Sequence, residues 1–159
     1  GIERMLLLQF QAGNDRYGLE VDRIVEVIPM VAFRTLPHAE AAVAGCFNYR
    51  GGIVPVIDAT VLLSGAPSRP LMSTRIILLE YGTPNGASRI LGLLAEGVTE
   101  TVSCTEAEFQ PVGLSVPDAP YLGDVLVRPD GMIQRIEVEA LLTDSLREAL
   151  FPSTGDEAP

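Results

Sequence analysis

Short β-rich runs separated by turn residues dominate the first two thirds of the chain. Residues 5–11 are apolar and extended, Gly13-Asn14-Asp15 is a turn signal, and 16–21 resume the extended pattern, which predicts an opening β-hairpin. Residues 24–31 form a β-branched run. Residues 45–58 alternate loosely and are interrupted by Gly51-Gly52; Pro55 in the second half lacks a ladder donor, which predicts an edge or a bulge there. Residues 61–63 read as a short helical or irregular cover, and 64–73, with Gly65, Pro67 and Pro70, as the internal linker. Strand patterns return at 74–81 and 88–95. A further hairpin is predicted where 124–128 and 132–138 flank Pro129-Asp130-Gly131. Leu141, Leu142, Leu146 and Leu150 fall at helical spacing, so an amphipathic helix over 139–150 should pack through Leu142, Leu146 and Leu150. Residues 152–159 are small, polar and acidic, the composition of a frayed tail.

A weak internal repeat organises these runs. Tyr17-Gly18-Leu19 and the following residues to Glu26 lie over Leu91-Gly92-Leu93 and the residues to Glu100 without a gap, at an offset of 74. Gly45 and Arg50 match Gly123 and Arg128 at an offset of 78, and Ile57-Asp58 matches Ile136-Glu137 at 79. A leucine pair follows each time. Two similar β subdomains are implied, each of about 70 residues and marginal alone, so the two should share a core. The expected division gives one lobe residues 5–20 with 60–135 and the other the intervening segment with the terminal hairpin, neither contiguous in sequence.

Composition narrows the chemistry. The 159 residues (17.0 kDa) are 47% hydrophobic and 20% charged, as expected of a globular domain. All eleven basic residues are arginine, so a phosphate-loop lysine, a Schiff-base lysine and a lysine general base are excluded. A formal net charge of -10 repels phosphate backbones and anionic membrane surfaces, so neither nucleic acid nor direct membrane binding is expected. Apolar stretches of four residues fall far short of the roughly 20 needed to cross a bilayer. Cys46 and Cys104 lie far apart and His38 is the single histidine, so no zinc spacing exists. The expectation is a reduced, cytoplasmic protein with no cofactor that neither hydrolyses nor retains ATP. Residues 1–4, ahead of Met5, read as vector-derived.

Few residues carry chemistry. Asp58 and Glu137 end matching strands and, with Glu26 and Glu96, invite reading as an acid/base pair. Acids ending a strand before a short helix more often cap that helix. His38 follows Pro37 in a loop and has no nucleophile motif beside it. Gly51 and Gly52 suit a turn with positive φ; a phosphate cradle would need a following helix, and a β-run follows instead.

The segment Gly45-Cys46-Phe47-Asn48-Tyr49-Arg50-Gly51-Gly52-Ile53-Val54-Pro55-Val56-Ile57-Asp58 resembles the signature of the CheW-like family of chemosensory adaptors. So does its setting: the hairpin ending Tyr17-Gly18-Leu19, the run Ile24-Val25-Glu26-Val27 and Leu36-Pro37 upstream, then Gly92, Val98 and the final hairpin and helix. The resemblance covers residues 5–151, read as a single domain, and the form Phe47-Asn48-Tyr49-Arg50-Gly51 is most similar to adaptors of Wsp-type surface-sensing systems. It implies a mainly β fold of two intertwined five-stranded SH3-like barrels sharing a core, with a C-terminal helix. It implies a non-enzymatic scaffold joining the cytoplasmic tip of a methyl-accepting chemoreceptor to the regulatory domain of a CheA-type histidine kinase, in the cytoplasm and recruited to receptor arrays at the inner membrane. The receptor tip is a helical coiled coil, so a helix should lie in a groove between the lobes, and kinase contact should fall on the barrel ends.

The family's receptor contact carries over to Arg50 through Asn48-x-Arg50-Gly51, with Glu26 as its internal partner and Ile24 lining the groove. A guanidinium grips a carboxylate bidentately and cannot lose its charge. Against this stands an internal role, Arg50 pairing with Glu26 inside the fold and Ile24 belonging to the core. The chain departs from the family at Ala44, where motility adaptors often carry a basic residue, at Ala59, and at Glu96 and Glu137, where aspartate is usual. A dedicated receptor of another pathway is therefore implied. Two other classes remain: a free-standing relative of the kinase regulatory domain competing for the adaptor position, and a small acid/base hydrolase.

Overall fold

In a computed structural model, which describes residues 3–83, 86–112 and 116–152, the chain folds into two β lobes around a shared core. Its elements in order are β1 (Arg4–Ala12), β2 (Asp15–Glu20), a 3₁₀ turn (Val21–Arg23), β3 (Ile24–Pro29), β4 (Val43–Tyr49), β5 (Gly52–Asp58), α1 (Ala59–Ser64), β6 (Arg75–Gly82) and β7 (Ser88–Ala95). There follow β8 (Thr101–Thr105), a 3₁₀ turn (Glu106–Glu108), β9 (Phe109–Gln110), β10 (Leu122–Arg128), β11 (Gly131–Ile136), a 3₁₀ turn (Val138–Ala140) and α2 (Asp144–Leu150). None of the described helices is long and apolar enough to cross a membrane.

The first sheet runs β8-β1-β2-β11-β10-β9 and the second β3-β6-β7-β5-β4. Leaving aside the two-residue β9, the two orders are the same, and each has one parallel pair in the same place, β2 with β11 and β7 with β5. The repeat in the sequence is thus a repeat of strands. Its chain order differs: the second lobe is contiguous from β3 to β7, whereas the first is cut by the chain ends and assembled from β1-β2 and β8 to β11. This corrects the division expected from sequence. Residues 75–95 belong with the middle segment and the terminal hairpin with the opening one, because parallel pairing to Gly18 and Gly92, which is invisible in local patterns, decides membership.

Each sheet curls until its end strands meet. Glu26 on β3 and Tyr49 on β4, at opposite ends of the second order, are hydrogen-bonded; in the first lobe Arg128 on β10 donates to the Ser103 carbonyl on β8 at 2.7 Å. The second lobe fills its interior with Val54, Val56, Ile76, Leu78 and Leu94, and the first with Leu7, Cys104, Leu126 and Ile133. The strand faces turned the other way form the core between lobes, where Phe10, Tyr17 and Leu19 meet Ile57, Leu79, Leu91 and Leu93, and where Leu142 and Leu146 also pack. Burying such side chains is worth about 1.5–3 kcal/mol each, so this interior is what keeps two marginal lobes together.

Further expectations need adjustment. Pro55 lies in β5, which is internal to its sheet and not an edge, while the expected bulge is present beside it, where the β4–β5 register shifts between Val43 and Gly45 opposite Ile57 and Val56. The register to β7 begins only at Val56, so no ladder donor is required of the proline. The terminal helix starts at Asp144 and not at 139, because the Thr143 hydroxyl accepts from Leu146 N at 3.1 Å and caps it there, leaving a 3₁₀ turn upstream. The segment 64–73 is fastened: Ser68 donates to Asp58 through N (2.8 Å) and Oγ (2.6 Å), and Arg69 to Glu96. β8 and β9 have no counterpart in the sequence pattern as read above. Of the expected tail, residues 153–159 lie outside the described residues, as do residues 1 and 2.

Candidate partner-binding site

The β4–β5 hairpin turns through two residues, with Tyr49 paired to Gly52. Arg50 has φ 52° and Gly51 φ 87°, the pair of left-handed conformations that a type I′ turn requires. Asn48 Oδ1 accepts from Gly51 N at 2.9 Å and closes the turn. The motif Asn48-x-Arg50-Gly51 therefore has a local reason: the asparagine caps, and the glycine takes the second positive φ freely. Gly52 is not in that region, so the sequence expectation holds for Gly51 while the other left-handed position falls on Arg50, where a side chain costs roughly 1–2 kcal/mol.

That cost holds a guanidinium out in solvent. The Arg50 side chain is 74% exposed; its Nη2 lies 3.2 Å from Glu26 Oε1, and its Cζ sits 5.1 Å from the centre of the Tyr49 ring. The Tyr49 hydroxyl donates to the same Glu26 oxygen, and this bond holds the phenol above its ordinary pKa. Of the three residues expected to form the site, two are brought together. Glu26 and Arg50 meet, and the internal pair expected as the alternative exists alongside the exposure that the functional reading requires. Ile24 goes elsewhere: it is half-buried at the start of β3 and packs against the core between lobes.

Beside the turn lies an open groove of about 470 Å³, bordered by Leu36, Cys46, Tyr49, Ile53, Ile90 and Phe151. Ile53 is 69% exposed. The first lobe has a matching groove of about 360 Å³ whose members include Val125, Met132 and Gln134. Register makes the two equivalent, because Cys46 pairs with Pro55 as Val125 pairs with Gln134, both offset by 79. The same register revises one match in the repeat. Arg128 sits opposite Gly131 as Tyr49 sits opposite Gly52, so Arg128 corresponds to Tyr49, and the residue matching Arg50 at the turn is Pro129. An arginine at this turn position is thus present in the second lobe and replaced by Pro129 in the first. Tyr49 and Ile53 were not singled out from sequence; a tyrosine beside a motif and an isoleucine in an apolar run both read as core.

The remaining acids are structural. Asp58 is buried and caps α1, its Oδ1 accepting from Thr60 N (2.9 Å) and Val61 N (3.4 Å). Glu137 makes no such cap; its longer side chain lies on the surface 3.8 Å from Arg135 Nε. Glu96, 7% exposed, accepts from Arg69 through Oε1 (2.9 Å) and Oε2 (2.8 Å), and those bonds hold its carboxyl below the usual range. Glu26 and Glu96 make their bonds to different partners and form no pair with Asp58 or Glu137. His38 is exposed in its loop, and Cys46 and Cys104 are free thiols in different lobes. Among the described residues no cluster of three His, Cys, Asp or Glu could hold a metal ion.

Two curled sheets joined through a common core, with an exposed arginine turn and an open groove on each lobe, define a two-lobe β module. The chain belongs to the CheW-like domain family, whose model matches residues 6–146. It is similar to the chemotaxis protein CheW of Rhizobium meliloti, 25% identical over 145 residues covering 90% of each chain. It also resembles CheW of Klebsiella aerogenes, 26% identical over 138 residues, covering 86% of this chain and 80% of that one. The fold matches the crystal structure of the scaffolding protein TtCheW from Thermoanaerobacter tengcongensis with a TM-score of 0.77 at 22% identity, over 91% of this chain and 92% of that one. The SH3-like two-lobe architecture expected from the sequence is the one observed.

Proposed function

We propose that the chain, as one domain over residues 5–151, is a non-enzymatic adaptor that couples the cytoplasmic tip of a methyl-accepting chemoreceptor to the regulatory domain of a CheA-type histidine kinase, at receptor arrays on the inner membrane. The exposed Arg50, held in a left-handed turn beside an apolar groove, carries this reading. Strain kept at an exposed polar side chain is a common mark of a binding site. A helical hairpin offers what this surface lacks: apolar side chains at i and i+3 or i+4 for the groove, and a carboxylate for the guanidinium. Glu26 orients the arginine, and Ile24 acts from beneath as core. The two lobes, equivalent strand for strand, suit a kinase domain of the same paired architecture, met at the lobe ends and leaving the groove beside Arg50 to the receptor. A surface-sensing pathway fits the Phe47-Asn48-Tyr49-Arg50-Gly51 form and the absence of a basic residue at Ala44.

The test is Arg50→Ala with three measurements: affinity for receptor-tip fragments from the same organism, affinity for the kinase regulatory domain, and melting temperature. Receptor binding should weaken by about 2 kcal/mol or more, the hot-spot range, with kinase binding and stability little changed. Arg50→Lys should rescue poorly, since a point charge cannot reproduce a fork of donors. A folded Arg50→Ala variant that binds receptor tips as tightly as the parent would overturn the reading; one that loses both partners together with stability would return Arg50 to a purely internal role.

A further inference from the structure

Arg50 and Tyr49 share one oxygen. Glu26 Oε1 accepts from Arg50 Nη2 at 3.2 Å and from the Tyr49 hydroxyl. The tyrosine ring is not free to leave: it stands edge-on to Phe47 (centroids 6.4 Å apart), which packs against Phe33 (6.3 Å), and all three lie against the second lobe's interior. Its face lies 5.1 Å from the guanidinium carbon, within cation–π range. At the equivalent turn of the first lobe Arg128 stands where Tyr49 does, and its Nη2 donates to the Ser103 carbonyl at 2.7 Å and lies 3.4 Å from Glu108 Oε1.

We propose that Tyr49 is a positioning residue that sets Arg50 for a carboxylate on its partner. The inference rests on the reading of Arg50 as a partner contact. Tyr49 would act in two ways. Its ring supports the guanidinium over a surface anchored in the core, lowering the entropy that an exposed arginine loses when it binds. Its hydroxyl shares the Glu26 oxygen that accepts from Arg50, so the carboxylate is divided between two donors and holds the guanidinium at 3.2 Å. Without it, Glu26 could take the guanidinium as a closer pair, and a partner's carboxylate would first have to displace an internal one. An arginine has five donors; Tyr49 limits how many of them stay at home.

The experiment uses the full chain as wild type, Tyr49→Phe, Tyr49→Leu, Arg50→Ala and the Tyr49→Leu/Arg50→Ala double variant, with a soluble receptor-tip hairpin fragment as probe. Tyr49→Phe keeps the ring and loses the hydroxyl, so affinity should fall about threefold; Tyr49→Leu loses both and should fall about tenfold, within the range of coupled neighbours. In the Arg50→Ala background the leucine substitution should have no further effect. A second readout needs no partner: in ¹⁵N relaxation the Arg50 Nε–H should be ordered in the wild type and lose order in Tyr49→Leu. A leucine effect of equal size in both backgrounds would overturn the proposal, since Tyr49 would then be a contact in its own right. Should Arg50→Ala leave affinity intact, the receptor reading of Arg50 fails and the relaxation data decide alone: lost order supports positioning, unchanged order overturns it. If Tyr49→Leu does not fold, the near-isosteric Tyr49→Phe carries the cycle in its place.

Discussion

Gly18 and Gly92 occupy the same place in the two sheets: Gly18 pairs with Arg135 on β11 as Gly92 pairs with Val56 on β5, in the one parallel ladder of each lobe. The offsets of 74 and 79 carry one pair onto the other. Neither glycine has a positive φ, so conformational freedom does not account for them; close approach does. A Cβ on Gly92 would lie 3.0 Å from Val56 Cγ2, 3.2 Å from Ile76 Cγ2 and 3.4 Å from the Pro55 carbonyl oxygen. Those methyls belong to β-branched side chains with little rotamer freedom. Gly92→Ala should therefore destabilise by about 1–3 kcal/mol, as overpacked cores do. Gly18→Ala should cost somewhat less: it meets Ile133 Cγ2 at 3.2 Å and Leu7 Cβ at 3.3 Å as well, but its nearest atom is the Leu7 Cδ1 terminus at 3.1 Å and none of these three is backbone. Denaturant midpoints of the two variants check both the size and the order.

These glycines also explain what could be read from the sequence. The pairs Tyr17-Gly18-Leu19 and Leu91-Gly92-Leu93 are local and keep their spacing, so two related lobes and a shared core were legible. Lobe membership was not, since it depends on β2 reaching β11 across more than a hundred residues. The site was legible in part for the same reason. Asn48, Arg50 and Gly51 form one turn and leave one motif, whereas Glu26 joins them only when the two end strands of a sheet curl together, and its place came through family resemblance. The sequence leaves Ile24 between groove and core, because a β-branched residue entering a strand looks alike in both; it packs against the core between lobes. The 3₁₀ turn ahead of α2 was hidden by leucines that keep helical spacing across it.

Arg50→Gly should separate stability from function. Glycine accepts φ 52° without the left-handed penalty, while the pair with Glu26 that is lost is 74% and 40% exposed and contributes about 0–1 kcal/mol. Glycine's extra freedom in the unfolded chain offsets part of the relief. The melting temperature should stay level or rise slightly as receptor affinity is lost. A drop in stability beyond about 1 kcal/mol would mean that Arg50 holds the fold together more than its exposure implies.

Asp58 and Glu137 match in the repeat but should respond differently to removal. Asp58 is 5% exposed and accepts from Thr60 N, Val61 N, Ser68 N and Ser68 Oγ, joining the start of α1 to the segment leading to β6. Asp58→Ala removes a helix cap and strands a half-buried N–H, a loss of about 3 kcal/mol when the two effects are taken together. Glu137→Ala removes only a long surface contact and should stay within about 0.5 kcal/mol. Equal losses would show that the repeat extends to function at the strand ends, against the geometry.

Acid should loosen the second lobe through Glu96. Its carboxyl is held below the ordinary range chiefly by the Arg69 guanidinium, with the Arg69 backbone N–H adding to it against the opposing effect of burial. A carboxylate with a depressed folded pKa binds protons more readily in the unfolded chain. Its stabilisation is therefore fully present above the unfolded value, about 4.3, and is lost as pH falls through the lower folded value. Arg69 is 71% exposed, so solvent screening keeps the effect modest even though Glu96 itself is buried. Glu106 and Glu108 are shifted the same way, the first by Arg135 and the second by the Thr105 backbone N–H, and they steepen the same acid limb. Comparing Glu96→Gln with the parent isolates the Glu96 contribution. The variant should melt lower near neutral pH, and the gap should close as pH drops below about 4. Melting curves that run parallel across that window would mean that the carboxylate's charge contributes nothing and that only its shape holds the segment down.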